Sequence, residues 1–267
     1  MGSPRAPRVV ATDLDGTIVR SDGTISARTR EALAAAETAD AFVVLVTGRP
    51  PRWLKGIPDA TGHHGVAVCA NGALVYDLHR ERVLASYPLS VEIAREIVAT
   101  LRAAIPGIGF GVESLDDGFG HEPAYRPRWS TDGAQVAAID ELMAGPMAKL
   151  LARHDDLDSD ALLAAAREVV ADEVATLTHS SADGLLEISA VGVSKATTLA
   201  TLCGERNLHG GDAIAFGDMP NDLPMLDWAG YSVAVANAHP DVLAVVDEVT
   251  ASNDDDGVAQ VLERLFA

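Results

Sequence analysis

What most limits the fold of this chain is a repeated local pattern, a short continuous run of small or β-branched apolar residues that stops on a polar tip. Val9-Val10-Ala11 runs into Thr12-Asp13-Leu14-Asp15-Gly16, and Phe42-Val43-Val44-Leu45-Val46 runs into Thr47-Gly48-Arg49-Pro50. Val66-Ala67-Val68-Cys69 ends near Asn71-Gly72, and Ala213-Ile214-Ala215-Phe216 ends on Gly217-Asp218. Runs of this length without polar alternation suit strands covered on both faces, as in a parallel sheet flanked by helices. The intervening segments supply such helices: one is expected over 27–39, with Ser26 as N-cap and Leu33 on its apolar stripe, and another over 194–206. A further strand is expected over 232–235, ending near Asn237. Together these imply an α/β layer around a parallel sheet.

After Asn71 the rhythm changes. Residues 73–76 and 82–85 read as a hairpin, and 90–104 as an amphipathic helix with Ile93, Ile97 and Leu101 at every fourth position. From 108 to 189 the pattern is a strand, a polar segment, a short helix, a strand over 147–151, a helix over 160–170 and strands over 174–180 and 185–189, an α+β unit. The expected organisation is therefore a discontinuous core, 1–84 and 189–267, bracketing an inserted domain over 85–188. Residues 114–133 read as a long loop of the kind that carries function. In and beside it Glu113, Asp116, His121, Tyr125, Arg126, Arg128 and Trp129 are candidate specificity residues, against the alternative that they are simply exposed. His63-His64 has no carboxylate or cysteine at ligand spacing and reads as a loop.

Charge narrows the partners. Asp and Glu number 39 against 20 Lys and Arg, a formal net charge of −19, so nucleic acid and anionic membrane surfaces are not expected partners. An anionic small molecule would need a local positive feature. Two cysteines, Cys69 and Cys203, both in apolar surroundings, suggest buried thiols and no disulfide framework, which suits a reducing cytoplasm. The first residues, MGSPRAPR, lack the apolar core of a signal peptide, and no apolar run is long enough for a membrane span. A cytoplasmic location is expected, with the oligomeric state left open.

In an open α/β sheet, ligands bind beyond the carboxyl ends of the strands, where the polar tips of this sequence fall. Residues two apart on an extended chain share a side, so Asp13 and Asp15 can project together while Leu14 points away. Two unit charges ~4 Å apart at an effective dielectric of 20 interact by roughly 4 kcal/mol, so converging carboxylates need a counter-charge. One lysine, Lys195, would not suffice. Oxygen ligands without Cys or His point to a hard divalent ion, and Mg²⁺ fits best. With Lys195 it would make a pocket in an acidic protein locally positive enough for phosphate.

Asp13-Leu14-Asp15-Gly16-Thr17, Thr47-Gly48-Arg49, Lys195 and Gly217-Asp218-Met219-Pro220-Asn221-Asp222 resemble, in order, the four motifs of the haloacid dehalogenase-like phosphotransferase superfamily. The place of the insert after Asn71-Gly72-Ala73, with the tail Asn237-Ala238-His239-Pro240 and Ser252-Asn253-Asp254-Asp255-Asp256-Gly257, is similar to its Cof-type sugar-phosphatase branch. The resemblance implies a doubly wound, Rossmann-like parallel sheet core with an inserted α+β cap domain. It implies an Mg²⁺-dependent phosphatase acting on sugar phosphates or similar small metabolites through an aspartyl-phosphate. By the same resemblance Asp13 is the nucleophile and Asp15 the general acid and base, while Lys195 balances charge. Phosphate would be held by the Leu14 backbone, Thr47, Gly48, Lys195 and Asn221, and the metal by the Asp13 side chain, the Asp15 carbonyl and Asp218. Asp222 could be an occasional ligand or a supporting acid at a helix start, Arg49 a substrate contact or a surface ion pair, and Asn71 a substrate contact or a turn residue. His121, Arg126 and Arg128 are the insert's candidate substrate contacts. A phosphomutase would use the same intermediate, and a phospho-receiver signalling domain would share an Asp, a Thr and a Lys at strand ends. A receiver is usually about half this length.

Overall fold

The computed structural model describes residues 6–115 and 118–266. Contacts divide it into two units, Met1–Ala85 with Lys195–Ala267, and Ser86–Ser194. In chain order the first unit opens with strands β1 (Val9–Thr12), β2 (Phe42–Val46), β3 (Val66–Cys69), β4 (Leu74–Asp77) and β5 (Arg82–Ser86). The second unit contributes β6 (Gly109–Ser114), β7 (Phe119–His121), β8 (Gln135–Val136), β9 (Met147–Arg153), β10 (Ala175–Thr178) and β11 (Leu185–Ala190). The first unit then resumes with β12 (Ala213–Gly217), β13 (Tyr231–Ala234) and β14 (Glu248–Val249).

The eight-stranded sheet of the first unit has the order β14-β13-β12-β1-β2-β3-β4-β5. From β14 to β3 all neighbours are parallel; β4 turns back antiparallel on β3. Val10 lies between Val43 on one neighbour and Ile214 on the other, which is why β1 is apolar without alternation. The chain leaves β1 toward β2 on one side and returns as β12 on the other, so the topological switch point falls between β1 and β12. Ser26 caps the helix Ala27–Thr38 by accepting the Thr29 amide at 3.0 Å, a bond that contributes about 1 kcal/mol in such caps. Its Ala32, Leu33 and Ala36 are buried, and the helix packs on Gly257–Phe266.

The second unit is a six-stranded sheet, β10-β11-β9-β6-β7-β8, antiparallel except for β7 and β8. Phe110, Val112, Leu150, Leu186 and Ile188 of the sheet share a core with Ile97 and Leu101 of helix Val91–Ala104 and Leu162 of helix Ser159–Arg167. Burying each such side chain is worth about 1.5–3 kcal/mol, which stabilises this unit through a core of its own.

Three details differ from the expectations. Residues 114–133 are not one loop: Phe119–His121 pairs with β6, and Tyr125 is fully buried against Phe119, Leu151 and Leu185. Asp116 lies outside the described residues. The expected junction at 188 falls inside β11, where Ser189 faces Thr176 and Ala190 faces Ala175, and the division by contacts comes at 194. His63 is irregular in backbone but finds a carboxylate 26 residues away, its Nδ1 lying 2.5 Å from Glu37 Oε1. Both cysteines are free thiols and fully buried. Among the described residues, no helix is long and apolar enough to cross a membrane.

Candidate active site

The first unit gathers polar side chains at the carboxyl ends of β1, β2 and β12, beside the switch point. Asp13 follows β1 directly, its amide donating to the Phe216 carbonyl of β12 at 3.0 Å. Its Oδ1 accepts Lys195 Nζ at 2.6 Å. The same ammonium donates to Asp222 Oδ1 at 2.6 Å, and all three side chains are nearly inaccessible to water. Lys195 reaches this position as the first residue of helix Lys195–Gly204.

Asp222 is held twice over. Its Oδ2 accepts the amides of Asp218 and Met219, each at 3.0 Å, closing the turn after β12 around the carboxylate. Gly217 makes room for it, since a Cβ there would lie 2.5 Å from Asp222 Cβ. Asp218 accepts the Thr17 hydroxyl on Oδ1 at 2.8 Å. Gly16, at φ +76°, carries the chain past Asp218; a Cβ at 16 would stand 2.3 Å from Asp218 Oδ2. Leu14 is fully buried, and its carbonyl accepts the amides of Thr17, Ile18 and Val19, which fixes the loop after Asp13.

Asp15 faces the other way from the buried group. Its carboxylate is more than half exposed and takes Arg49 in a two-pronged pair, Nε to Oδ2 at 2.7 Å and Nη2 to Oδ1 at 2.5 Å. Arg49 also donates to the Trp53 carbonyl at 3.3 Å. Thr47 is buried, and its Oγ accepts the Arg49 amide at 3.0 Å, which leaves the hydroxyl hydrogen to donate elsewhere. Asn221 and Asn71 are buried and bonded to each other.

The charges do not balance within the chain. Asp13, Asp218 and Asp222 each offer an oxygen within 4.8 Å of the others, and against these three carboxylates stands one ammonium. Burial pushes the Asp13 carboxyl well above its usual range, with Asp222, Asp218 and Asp15 acting in the same direction and Lys195 opposing. Burial likewise pushes Asp218 up to about 7, with Asp222 adding and the Thr17 hydroxyl opposing. For Lys195 burial is the largest single influence and lowers its proton affinity, but Asp13 and Asp222 together outweigh it and the ammonium is held firmly. A net surplus of two negative charges on oxygen donors, relieved only by taking up protons, fits a hard divalent cation. With Asp222 committed to Lys195 and two amides, the carboxylates of Asp13 and Asp218 are the donors left to hold it, and Asp15 could add only its carbonyl.

Several of the insert's candidate residues have partners within their own unit. His121 is buried, its Nδ1 3.0 Å from the Glu122 carbonyl and its ring beside Phe119 and Tyr125. Arg126 is exposed and ion-paired with Asp155, and Arg128 is exposed. Glu113 is buried opposite Lys149 of β9, and Lys149 is ion-paired with Glu187 of β11. Trp129 packs under the Arg153 guanidinium, 5.0 Å from ring centroid to Cζ.

Some supporting residues carried no separate signal in the sequence. Thr17 holds Asp218 across 201 residues of chain. Asn237 donates to the Gly16 carbonyl at 2.8 Å and accepts the Asn253 amide at 2.9 Å, so the loop after Asp15 is braced from the C-terminal segment. Arg20 pairs with Asp256 at 2.7 Å, and Asp254 accepts both the amide and the hydroxyl of Ser21 at 2.8 Å. The asparagines and the acidic run are conspicuous, but their partners are too far along the chain for spacing to reveal.

The doubly wound sheet with an inserted second unit carries buried carboxylates and a lysine at its switch point, the arrangement of an enzyme site. The comparison with known proteins agrees: the haloacid dehalogenase-like hydrolase family matches residues 10–262, and the chain belongs to that family. It is similar to the pyridoxal phosphate phosphatase YbhA of Escherichia coli K12, 29% identical over 275 residues, covering 96% of this chain and 97% of the relative. It is 27% identical over 275 residues to the 5-amino-6-(5-phospho-D-ribitylamino)uracil phosphatase YitU of Bacillus subtilis 168, covering 98% of each. A solved haloacid dehalogenase-like hydrolase from B. subtilis superposes with a TM-score of 0.80 at 25% identity, covering 96% of this chain and 99% of the other.

Proposed function

We propose that this hydrolase releases inorganic phosphate from small phosphorylated metabolites, using Asp13 as nucleophile and Mg²⁺ as cofactor. The observation that carries the reading is the buried line Asp13–Lys195–Asp222 beside Asp218, with a second carboxylate, Asp15, two residues along and outside the buried group. The two relatives are phosphatases of pyridoxal phosphate and of a phosphoribitylamino uracil, both small phosphomonoesters. That supports the same substrate scale here.

Bound Mg²⁺ would be held by Asp13, Asp218 and the Asp15 carbonyl and would neutralise charge on the phosphate. The residues do the rest. Lys195 fixes one oxygen of Asp13, leaving the other to attack phosphorus. Thr47, the Gly48 and Leu14 backbone and Asn221 are assigned to the phosphate oxygens. Asp15 takes up a proton from solvent as its link to Arg49 gives way to one with the ester oxygen, and as the Asp13–phosphorus bond forms and the ester bond breaks, the leaving oxygen takes that proton. The ionised Asp15 then takes a proton from water as the water oxygen attacks phosphorus, and Asp13 is regenerated with release of phosphate. Transfer to a second hydroxyl would make the enzyme a mutase, and product analysis separates the two.

The test is phosphate release from a panel of phosphorylated metabolites with Mg²⁺ and with a chelator. Release that stops on chelation and resumes when Mg²⁺ is restored is expected. Full activity in the chelator would remove the cofactor from the scheme, and no release from any monoester would remove the activity.

A further inference from the structure

Two asparagines of the C-terminal segment are bonded to the loop that follows Asp13, and neither takes part in the proposed reaction. Asn237 Nδ2 donates to the Gly16 carbonyl at 2.8 Å, and Asn237 Oδ1 accepts the Asn253 amide at 2.9 Å. Asn253 is 7% exposed and donates its own Nδ2 to the Val19 carbonyl at 2.9 Å. Asn237 thus uses one end of its side-chain amide as donor and the other as acceptor, which fixes its orientation. Asn253 is presented by a closed turn, in which the Gly257 amide donates to the Ser252 carbonyl at 3.0 Å and the Thr250 hydroxyl to the Gly257 carbonyl at 2.9 Å.

What these bonds hold is the stretch of chain that locates Asp218. Gly16 passes so near that a Cβ there would lie 2.3 Å from Asp218 Oδ2, and the Thr17 hydroxyl donates to Oδ1 at 2.8 Å, so both oxygens of this carboxylate are set by the loop. The turn that begins with Asn237 also reaches the backbone of Asp218, the His239 amide donating to the Asp218 carbonyl at 2.7 Å. One short segment therefore ties the loop after β1 to the end of β12. Those are the two places from which the carboxylate donors Asp13 and Asp218 come.

Mg²⁺ demands near-octahedral oxygen donors at about 2.0–2.1 Å, so small displacements of a donor weaken its binding. Residues that orient metal ligands without touching the ion commonly contribute about 10–100-fold to affinity. We propose, on the Mg²⁺ reading of the site, that Asn237 and Asn253 are positioning residues that raise the affinity for the ion by holding Gly16 and Thr17 against Asp218. Linkage requires the converse. An ion that binds better when the loop is held must itself tighten the segment that holds it, the turn over 250–257.

The experiment measures the Mg²⁺ dissociation constant by titration calorimetry, with no substrate present, in the wild type, Asn237→Ala, Asn253→Ala and Arg28→Ala, each checked for folding by circular dichroism. Arg28→Ala is the control for general loosening of the C-terminal segment, because it cuts the Arg28–Glu263 pair between helices Ala27–Thr38 and Gly257–Phe266 and leaves the loop's own bonds in place. Asn237→Ala is expected to weaken binding by about tenfold or more, and Asn253→Ala, which keeps its backbone amide for Asn237, by about threefold or more. Arg28→Ala is expected to stay within about twofold of the wild type, as a distant exposed pair should. In the wild type, hydrogen exchange over 250–257 is expected to slow when Mg²⁺ is added, and in Asn237→Ala it is not. An affinity that Asn237→Ala leaves unchanged, or that Arg28→Ala lowers equally, overturns the inference; exchange over 250–257 that Mg²⁺ leaves unaltered in the wild type overturns it without any variant. Absence of Mg²⁺ binding to the wild type would instead refute the metal reading on which the inference rests.

Discussion

Replacing Lys195 with methionine removes the one cation from a buried line of carboxylates while keeping most of the side-chain volume. The ammonium lies 2.6 Å from Asp13 Oδ1 and 2.6 Å from Asp222 Oδ1, and the three side chains are 1%, 7% and 0% exposed. Removing one partner of a buried pair strands the other charge and typically costs 3–5 kcal/mol, and here two carboxylates lose their partner. A loss of about 3–5 kcal/mol is therefore expected in urea unfolding at about pH 7.5 with chelator present. The pH dependence follows from linkage. Burial holds the Asp13 carboxyl above its unfolded proton affinity and Lys195 is the group that opposes this, so without Lys195 the folded state binds more protons than the unfolded one and the variant regains stability as pH falls toward about 5. Activity should fall by about 10²–10³ in kcat through lost charge stabilisation at the phosphate. A stability loss below about 1 kcal/mol, or one that does not change between these pH values, would refute the electrostatic reasoning, whatever happened to the rate.

Asp218→Asn should abolish Mg²⁺-induced thermal stabilisation. In the wild type that stabilisation should grow as pH rises through about 7, where the raised carboxyl gives up its proton and stops competing with the ion; equal shifts at low and high pH would contradict this. Gly16→Ala sets a Cβ against Asp218 Oδ2 at a positive φ, so a stability loss of about 1–2 kcal/mol and weaker Mg²⁺ binding are expected from denaturation and calorimetry. Unchanged metal affinity would show that Asp218 does not depend on that approach. Asp15→Asn should give a burst of nitrophenol from p-nitrophenyl phosphate, stoichiometric with enzyme, then near-arrest, because phenolate leaves unaided while water goes unactivated. Wild-type turnover without a burst would remove Asp15 from the proton transfers.

Much of the core was legible in the sequence because its signals are local. Val9–Ala11 and Phe42–Val46 are apolar at every position since each run lies between two parallel neighbours, and burial favours that composition. The grouping of Asp13, Lys195, Asp218 and Asp222 followed from strand ends converging at a switch point and from the order of the motifs. The contacts that decide orientation were not legible. Nothing near Asp15 announces that Arg49 will take both its oxygens, and nothing near Thr17 points to Asp218. In the insert, β7 is three residues long, too short for alternation to register, and Tyr125 reads as a loop residue until Phe119, Leu151 and Leu185 close around it. Its last strand extends to Ala190 because pairing with β10 continues past the apolar stretch from which its end was read.

The most direct measurement is the chemical state of Asp13 during turnover. Enzyme saturated with substrate and Mg²⁺ is quenched in acid, treated with borohydride to reduce any acyl phosphate, and digested for peptide mass spectrometry. Homoserine in place of aspartate at position 13, absent when substrate is omitted and enriched in Asp15→Asn, is the expected result. Reduction at another carboxylate, or an unaltered Asp13 in Asp15→Asn enzyme that has given its burst, would contradict covalent catalysis by this residue.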